Sequence, residues 1–251
     1  MMRVAGKTDK GLQRNENEDA FKVLELENNS VAAVVCDGMG GEQGGKIASE
    51  LACEVISQKI KTDFVSNMDS DAICKLLHIS VNEANASIYS KATLEASLDG
   101  MGTTVVAAIV SNNTAHIVHM GDSRAYLYSE KTANFDNEKF EQVTKDHSIV
   151  QDMIEKGVIN QEEARNHPKK NYITRAVGIT RNPDMGYKQI SFQKGQKLLL
   201  CTDGLTNYCD EQNIIKHLKT DDIQTSCDNL IRCANESGGL DNITVVIIND
   251  C

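Results

Sequence analysis

Four aspartates each lie at one end of a β-like run of residues, where a carboxylate could bind a metal ion. Asp37 follows VAAVVC, Asp122 follows AHIVHMG, Asp203 follows KLLLCT, and Asp241 precedes Asn242 and ITVVII. Carboxylates that gather in one place repel each other unless a cation neutralises them, and Mg²⁺ and Mn²⁺ prefer oxygen ligands. A bound cation lowers the pKa of water and so makes a nucleophile near neutral pH. Because the four segments are distant in the chain, the pattern predicts a metal site assembled by the fold.

A single Asp-Gly pair has a simpler explanation, because this dipeptide is common in hairpin turns. Asp37-Gly38 and Asp203-Gly204 are such pairs. For either pair alone we favour the turn, whereas four strand-end aspartates together favour a metal site. The glycine after Asp37 would also leave its own carbonyl free to reach a metal ion.

The glycine-rich stretch CDGMGGEQGGKIAS, from Cys36 to Ser49, permits a second interpretation. Gly40 to Lys46 nearly matches the phosphate-binding loop GxxxxGK[ST], and a strand precedes it while a helix follows. Ile47, however, stands where the magnesium-binding hydroxyl is expected, and Asp37 would place a negative charge near the phosphates. A nucleotide-hydrolysing phosphate-loop protein is therefore the minor alternative.

The N-terminal stretch TDKGLQRNENED contains one arginine and an acidic pair that could belong to the same site. Arg14 could clamp a phosphoryl group bidentately, and Glu18 and Asp19 would lie beside it. Taken alone, Arg14 would be interpreted as a solvated surface residue. Its chemistry therefore depends on the neighbours that the fold brings to it.

Length and composition restrict the protein to ordinary soluble classes. The chain has 251 residues and a net charge of −10, which argues against binding to a nucleic-acid backbone. No apolar run approaches the roughly 18 residues that a membrane span needs, and MMRVAGKTDKGLQ lacks the apolar core of a signal peptide. There are 8 cysteines without C-x-x-C spacing, and we expect them to be reduced, as in a cytoplasmic protein.

Hydrophobic periodicity predicts the elements that must position these residues. The predicted strands are Val23–Leu26, Val31–Cys36, Thr104–Val110, Ala115–Met120, Ala125–Ser129, Lys197–Cys201 and Ile243–Ile248. The predicted helices cover 45–60, 70–95, 148–156, 161–166, 210–218 and 221–236. Between 103 and 129 three strands follow one another through short turns, which predicts an antiparallel meander. Helices that are segregated from strands in this way favour helices covering antiparallel sheets over an alternating parallel fold.

The sequence motifs and their order along the chain resemble those of the metal-dependent protein phosphatases of type 2C, in their compact bacterial form. They span nearly the whole chain, and the ordered set is far more specific than any one member. The matching segments are Thr8-Asp-x-Gly-x-x-Arg14, Asn17-Glu-Asp19, Asp37-Gly-Met-Gly-Gly41, Ala48-Ser49, Gly102-Thr-Thr104, Gly121-Asp-Ser-Arg124, Asp146-His-Ser148, Glu162-Glu-Ala-Arg-Asn-His-Pro168, Thr202-Asp-Gly-Leu-Thr206 and Asp241-Asn-Ile-Thr244.

The resemblance implies an α+β fold, a four-layer αββα sandwich of two antiparallel β-sheets flanked by helices. It implies one domain over residues 1–251, with a mobile flap subdomain at about 148–180 for which Gly157 and Gly178 are candidate hinges. The implied activity is Mn²⁺- or Mg²⁺-dependent hydrolysis of phosphoserine and phosphothreonine on proteins, by in-line attack of a metal-bridging water. The implied partners are phosphoproteins and an opposing bacterial serine/threonine kinase.

The resemblance also implies roles for individual residues. Asp37 would bridge two metal ions, with the Gly38 carbonyl also at the site, and Asp203 and Asp241 would ligate the other ion. Asp122 would hold a third, weaker ion. Arg14 would bind the substrate phosphoryl group. The supporting residues around the ligands would be Glu18, Asp19 and Asn242.

Some positions depart from the family pattern. Asn207 stands where many relatives have a second aspartate, which predicts a weaker third metal site. Met39 stands where some relatives carry a histidine, so the acid that protonates the leaving group is left open. For His147, another titratable side chain, we favour a structural role.

A non-catalytic phosphoprotein-binding module on the same fold is the alternative function, and a monomer is the expected state.

Overall fold

A computed structural model of the protein describes residues 1–130 and 137–250, with the side chains of 41–43 outside the description. The strands in these ranges are β1 (Met2–Asp9), β2 (Asp19–Leu26), β3 (Ser30–Met39), β4 (Gly102–Thr103), β5 (Val105–Ser111), β6 (Thr114–Met120), β7 (Arg124–Ser129), β8 (Lys139–Gln142), β9 (Gly186–Ser191), β10 (Gln196–Cys201) and β11 (Ile243–Asp250). The helices are α1 (Gly41–Asp63), α2 (Ser70–Leu94), α3 (Ile149–Glu155), α4 (Gln161–Arg165), α5 (Asp203–Thr206), α6 (Glu211–Leu218) and α7 (Ile223–Glu236).

The strands form two antiparallel sheets. The first sheet has the order β1-β11-β10-β7-β8, and the second has the order β2-β3-β5-β6-β9 with β4 paired to the end of β3. Every named strand pair is antiparallel. A phosphate-loop protein needs a parallel sheet, so this pairing excludes the minor alternative.

Three apolar cores separate four layers. Alternate residues of one strand face opposite sides, and both faces of β3 are buried. Val34 packs with Ile56 and Leu77 of the α1–α2 layer, whereas Val35 packs between the two sheets. A third core lies between the first sheet and α6–α7, and includes Leu199 and Leu230. The predicted α+β sandwich of two antiparallel sheets flanked by helices is therefore confirmed.

The predicted meander is wrong in its last strand. β5 and β6 form a hairpin, but β7 pairs with β10 and β8 in the first sheet. The residues between β6 and β7 pass from one sheet to the other, with Gly121 at φ 100°. A Cβ there would lie 2.6 Å from Thr104 Cγ2, and the Thr104 hydroxyl bonds that of Ser123 at 2.6 Å. This contact fixes a crossing where sequence spacing alone predicted a hairpin.

The expectation that the cysteines are reduced is wrong for one pair. Cys209, which follows α5, and Cys233, in α7, form a disulfide with their Cα atoms 6.0 Å apart. Cys36, Cys53 and Cys201 are free and buried as expected. The disulfide links the segment after β10 to the helix that leads towards β11.

The segment at 148–180 contains α3 and α4 and is attached to the body at its base. Ser148 bridges to Ile173, and Thr103 exchanges two backbone hydrogen bonds with Val177 at 3.0 and 2.8 Å. Gly178, one of the two candidate hinges, packs so closely on Ile88 that a Cβ would lie 2.2 Å from its Cγ2. A separate, mobile flap remains a prediction. Within the described residues, no helix combines the length and apolar character that crossing a membrane requires.

Candidate metal and phosphate site

The four strand-end aspartates come together where the two sheets meet. Asp37 lies near the end of β3 and Asp122 follows β6 in the second sheet, whereas Asp203 follows β10 and Asp241 precedes β11 in the first sheet. Burial, followed by the charges of Asp19, Asp203, Asp122 and Asp241, raises the pKa of Asp37 well above its ordinary value. The carboxylates therefore lie within electrostatic range of one another.

The remaining carboxylates show the same mutual repulsion. Burial raises the pKa of Asp122 to about 8, with further contributions from Asp203 and Asp146. Burial and then Asp241 raise the pKa of Asp203 to about 6, although a hydrogen bond from Asp37 lowers it. The cluster thus has more negative charge than its surroundings neutralise.

The donor set fits hard divalent cations, although it does not stand ready-made around one point. Among the described residues, no three His, Cys, Asp or Glu side chains are arranged so that they would hold a metal ion as they stand. Two buried carboxylate oxygens, Glu18 Oε1 and Asp19 Oδ1, nevertheless have no hydrogen-bond partner. Buried polar atoms normally have a partner, and hard cations prefer oxygen. The unpaired oxygens and crowded carboxylates are what a site for such cations provides.

Asp19 connects the two sheets. It lies in β2 opposite Asp37, and its Oδ2 accepts the hydroxyls of Thr244 at 2.7 Å and Thr202 at 2.9 Å from the first sheet. Burial raises the pKa of Asp19 to about 7, and the two hydroxyl donors oppose this rise. Because Thr244 donates to Asp19, its own oxygen accepts from Thr8, 2.7 Å away. These donors orient one carboxylate oxygen and leave the other unpaired.

The glycines after Asp37 and Asp203 permit close contacts and do not form hairpin turns. A Cβ on Gly38 would lie 2.1 Å from the Gly45 carbonyl oxygen, so only glycine lets β3 pass the first turn of α1. A Cβ on Gly204 would lie 1.9 Å from the Asn242 carbonyl oxygen. The simpler explanation of the Asp-Gly pairs as hairpin turns is therefore wrong. Both glycines bring a carboxylate-bearing segment against its neighbour.

Arg14 lies at the exposed edge of the cluster. Its Nη2 bonds both carboxylate oxygens of Asp241 at 2.9 Å, and its side chain is 49% exposed. A guanidinium has five donors, and this pair uses one nitrogen. Lys46, the lysine of the excluded phosphate-loop interpretation, instead lies 4.0 Å from Glu16 on the surface.

Asn242 attaches the segment that carries Arg14 and Glu18 to β11. Its Nδ2 donates to the carbonyls of Lys10 at 2.8 Å and Glu16 at 2.9 Å, and its Oδ1 accepts the Glu18 N–H at 2.8 Å. All the polar atoms of this buried amide thus bond the N-terminal segment. Asn242 therefore fixes the position of the segment that carries Arg14 and Glu18.

Sequence reasoning assigned no role to two further side chains near the carboxylates. Arg124 Nε and Nη2 bond Asp146 at 2.7 to 3.1 Å, and the guanidinium charge lowers the pKa of both Asp122 and Asp203. Tyr208 is half-buried beside the cluster. The motif Gly121-Asp-Ser-Arg124 contained a signal for Arg124, whereas nothing in the sequence marked Tyr208.

His147 is buried and bonded to backbone, in agreement with a structural role. Its backbone N–H donates to the Gly121 carbonyl at 2.8 Å, and its ring Nδ1 accepts the Gly121 backbone N–H at 3.3 Å. Burial, then His119 and Arg175, lower the pKa of His147 to about 4. The ring is therefore neutral at physiological pH and supports the turn that carries Asp122.

A cleft of about 1070 Å³ begins at Asp122 and Asp203 and runs between the 148–171 segment and residues 206–214. This volume is at the upper end of small-molecule sites. Its size and its position beside the carboxylates suit a polypeptide that presents one reacting group.

Three comparisons place this arrangement among known proteins. The sequence model of the family described as Protein phosphatase 2C matches residues 12–242. The serine/threonine phosphatase Stp of Listeria monocytogenes is 37% identical over 250 residues, which cover 98% of this chain and 95% of the relative. The crystal structure of the Mycobacterium tuberculosis serine/threonine phosphatase PstP superposes with a TM-score of 0.87 and 31% identity, covering 99% of this chain and 98% of the other. The structure of a PstP catalytic domain in complex with 2 manganese ions superposes with a TM-score of 0.84 and 30% identity, covering 99% of this chain and 97% of the other.

Proposed function

Since this chain belongs to the protein phosphatase 2C family and is a serine/threonine phosphatase, we propose how its own residues remove phosphate from phosphoserine and phosphothreonine in proteins. The observation that carries the proposal is the cluster of carboxylates with raised pKa values at the meeting of the two sheets. Such a cluster needs cations, and the enzyme is metal-dependent. The relative that contains two manganese ions supports two ions here.

The cation ligands are proposed to be Asp37, the Gly38 carbonyl, Asp203 and Asp241. Asp122 would contribute to a third, weaker ion. When bound, Mn²⁺ or Mg²⁺ would lower the pKa of a water molecule and neutralise phosphoryl charge. Mn²⁺ or Mg²⁺ would be the two principal ions, and the relative in complex with 2 manganese ions supports Mn²⁺.

The chain's own residues support this chemistry from three directions. Glu18 and Asp19 supply the unpaired oxygens beneath the ligands, and Asn242 keeps Glu18 in place. Arg14 binds the phosphoryl group through the donors that its pair with Asp241 leaves available. Water attacks phosphorus opposite the leaving serine or threonine oxygen, so no side chain has to carry the phosphate. Positioning and charge neutralisation then supply most of the rate.

The proposed partners follow from the reaction. The substrates are phosphorylated proteins, and a bacterial serine/threonine kinase would make them. We propose a monomer that acts in the cytoplasm, with residues 1–251 as one domain and 148–180 as a flap over the cleft.

The test is hydrolysis of a phosphothreonine peptide with Mn²⁺ and with a chelator. Turnover should require Mn²⁺, and Asp203→Ala and Asp241→Ala should each abolish it. Asp228→Ala is the matched control, because this surface aspartate pairs with Lys7 and is 45% exposed. Equal rates with Mn²⁺ and with chelator would refute the metal requirement. Tight binding of the phosphopeptide without turnover would favour the non-catalytic module instead.

A further inference from the structure

Tyr208 is held rigidly at the wall of the cleft. Its ring packs against the core between the first sheet and α6–α7. On either side, the Asn207 N–H bonds the Asp203 carbonyl at 2.8 Å, and the Cys209 N–H bonds the Leu205 carbonyl at 2.8 Å. The disulfide of Cys209 fixes the same segment to α7. The position of Tyr208 is therefore set by the segment that begins with Asp203.

Tyr208 lies beside two of the clustered carboxylates. The residue lines the same cleft as Asp122 and Asp203. Burial raises the pKa of the hydroxyl, the charges of Asp241 and Asp203 raise it further, and Arg14 lowers it. The hydroxyl thus lies in the field of two proposed cation ligands and of the proposed phosphate-binding arginine. It keeps its proton at neutral pH and can donate it in a hydrogen bond.

Among the described residues, three other tyrosine hydroxyls are bonded to neighbouring side chains, whereas those of Tyr89 and Tyr172 form no such bond. Tyr126 accepts from Arg124 at 3.1 Å, Tyr128 donates to Glu138 at 2.9 Å, and Tyr187 lies 2.8 Å from His116 Nδ1. Within residues 1–130 and 137–250, the Tyr208 hydroxyl forms no hydrogen bond to another residue. This donor stands beside a cluster made of acceptors, while a phosphoryl group presents acceptor oxygens only.

We propose that Tyr208 is a catalytic residue whose hydroxyl donates a hydrogen bond to a non-bridging oxygen of the substrate phosphoryl group, beside Arg14. The inference rests on the proposed function and adds a residue to it. Arg14 then binds the phosphoryl group from the N-terminal segment, and Tyr208 binds it from the segment after α5. Hydrogen bonds to charged groups are strong enough that loss of this one should cost about ten- to a hundredfold in kcat/KM.

Tyr208→Phe tests the proposal, because it removes the hydroxyl and leaves the ring in its core. With saturating Mn²⁺, kcat/KM should fall at least about tenfold for both p-nitrophenyl phosphate and a phosphothreonine peptide. The inhibition constant of inorganic phosphate should rise severalfold, because phosphate presents the same oxygens. The unfolding temperature and the Mn²⁺ affinity should stay at the parent values. Tyr187→Phe is the matched control, since it removes a half-buried tyrosine hydroxyl that bonds His116, and its kinetics should equal those of the parent.

Three results would overturn the assignment. Unchanged kinetics with unchanged phosphate inhibition would show that the hydroxyl does not touch the phosphoryl group. A loss of kcat/KM confined to the phosphothreonine peptide would show that the hydroxyl contacts the leaving group or the polypeptide and not the phosphoryl group. A loss accompanied by weaker Mn²⁺ binding and unchanged phosphate inhibition would show a structural role. If the parent protein hydrolyses neither substrate, the proposed function fails, and calorimetric titration of phosphate into the parent and Tyr208→Phe still tests the contact.

Discussion

Asn242 holds Glu18 in place through a hydrogen bond of 2.8 Å between its Oδ1 and the Glu18 backbone N–H. The same amide donates to the carbonyls of Lys10 and Glu16, so one side chain immediately before β11 organises a segment more than 220 residues away in sequence. This segment contains Arg14. The geometry of the proposed phosphate-binding edge therefore depends on a residue that need not contact substrate.

Asn242→Ala should destabilise the protein and reduce its activity. The substitution leaves two carbonyls and one N–H without their partner, which should lower the free energy of unfolding by about 2 to 4 kcal/mol. KM for a phosphopeptide should rise, because Arg14 loses its fixed position. Urea unfolding and steady-state kinetics measure the two effects.

Asn85→Ala is the control for this substitution, because Asn85 is a buried amide that also makes two backbone bonds. It bonds the Thr180 carbonyl at 2.8 Å and the Gly178 N–H at 2.7 Å, at the base of the 148–180 segment. It should lower stability while KM for the phosphopeptide stays at the parent value. An Asn242→Ala enzyme with parental KM would show that the segment does not depend on this amide.

Thr244→Val should weaken cation binding. The hydroxyl that it removes donates to Asp19 Oδ2 at 2.7 Å, and without this donor the pKa of Asp19 should rise further. A hydrogen-bond donor that orients a carboxylate near a metal ion typically contributes about tenfold or more to metal affinity. Calorimetric titration with Mn²⁺ provides the measurement. Thr8→Val removes a neighbouring hydroxyl that bonds Thr244 and not Asp19, and it should bind Mn²⁺ much as the parent does.

Asn207→Asp should increase the number of cations that bind. Asn207 Nδ2 donates to Asp203 Oδ2 at 2.9 Å, and this bond lowers the pKa of Asp203. A carboxylate in its place would repel Asp203. With a chelator present, the free energy of unfolding should therefore fall by about 1 to 3 kcal/mol. Excess Mn²⁺ should reverse this loss and add one bound ion per chain. Asn213→Asp adds the same charge to the cleft wall farther along, and a matching gain of one ion there would contradict the assignment.

His147 should make the protein less stable in acid. Its folded pKa of about 4 lies below its ordinary value of 6.5. The stability that comes from keeping the ring neutral is therefore complete above pH 6.5 and is lost as the pH falls towards 4. Between about pH 7 and about pH 5 the loss should reach about 2 kcal/mol.

His147→Asn separates this contribution from that of other groups, because Asn keeps an acceptor near the Nδ1 position that bonds Gly121. Its unfolding free energy should fall less than that of the parent over the same pH range. Parallel pH profiles of the two proteins, measured by urea unfolding with Mn²⁺, would contradict the buried neutral histidine.

Cys233→Ala should lower stability only under oxidising conditions. The disulfide to Cys209 spans a sequence separation of 24 residues, and closing a loop of this length contributes about 3 to 4 kcal/mol in the chain-entropy description. A reductant should bring the parent down to the level of the variant. Cys74→Ala, at a cysteine that forms no disulfide, should leave the effect of the reductant unchanged.

The central strands could be predicted from sequence because the layered fold buries them on both faces. β3, β5, β10 and β11 are continuous apolar runs, and their predicted positions are confirmed to within a few residues. The edge strands β1, β8 and β9 were missed. An edge strand is paired along one side and partly exposed, so its sequence is mixed, as in MRVAGKTD of β1.

Features that depend on contacts between distant segments could not be predicted. Threonines are ordinary residues in strands, so nothing in the sequence showed that the hydroxyls of Thr202 and Thr244 converge on Asp19. The pairing of Cys209 with Cys233 could not be predicted either, because disulfide connectivity cannot be deduced from cysteine spacing. The strand-end aspartates were recognisable because four independent segments repeat one local pattern.

The meeting of two sheets at the carboxylate cluster divides the proposed cation ligands between them. Asp37 belongs to the second sheet, and Asp203 and Asp241 belong to the first. The spacing of the proposed ions would then follow the thickness of the apolar layer between the sheets, where Val35, Val106 and Leu200 pack. Enlarging or trimming one of these side chains would tune the metal affinity from a distance, and hydrostatic pressure, which compresses such a layer, would act on the same coordinate.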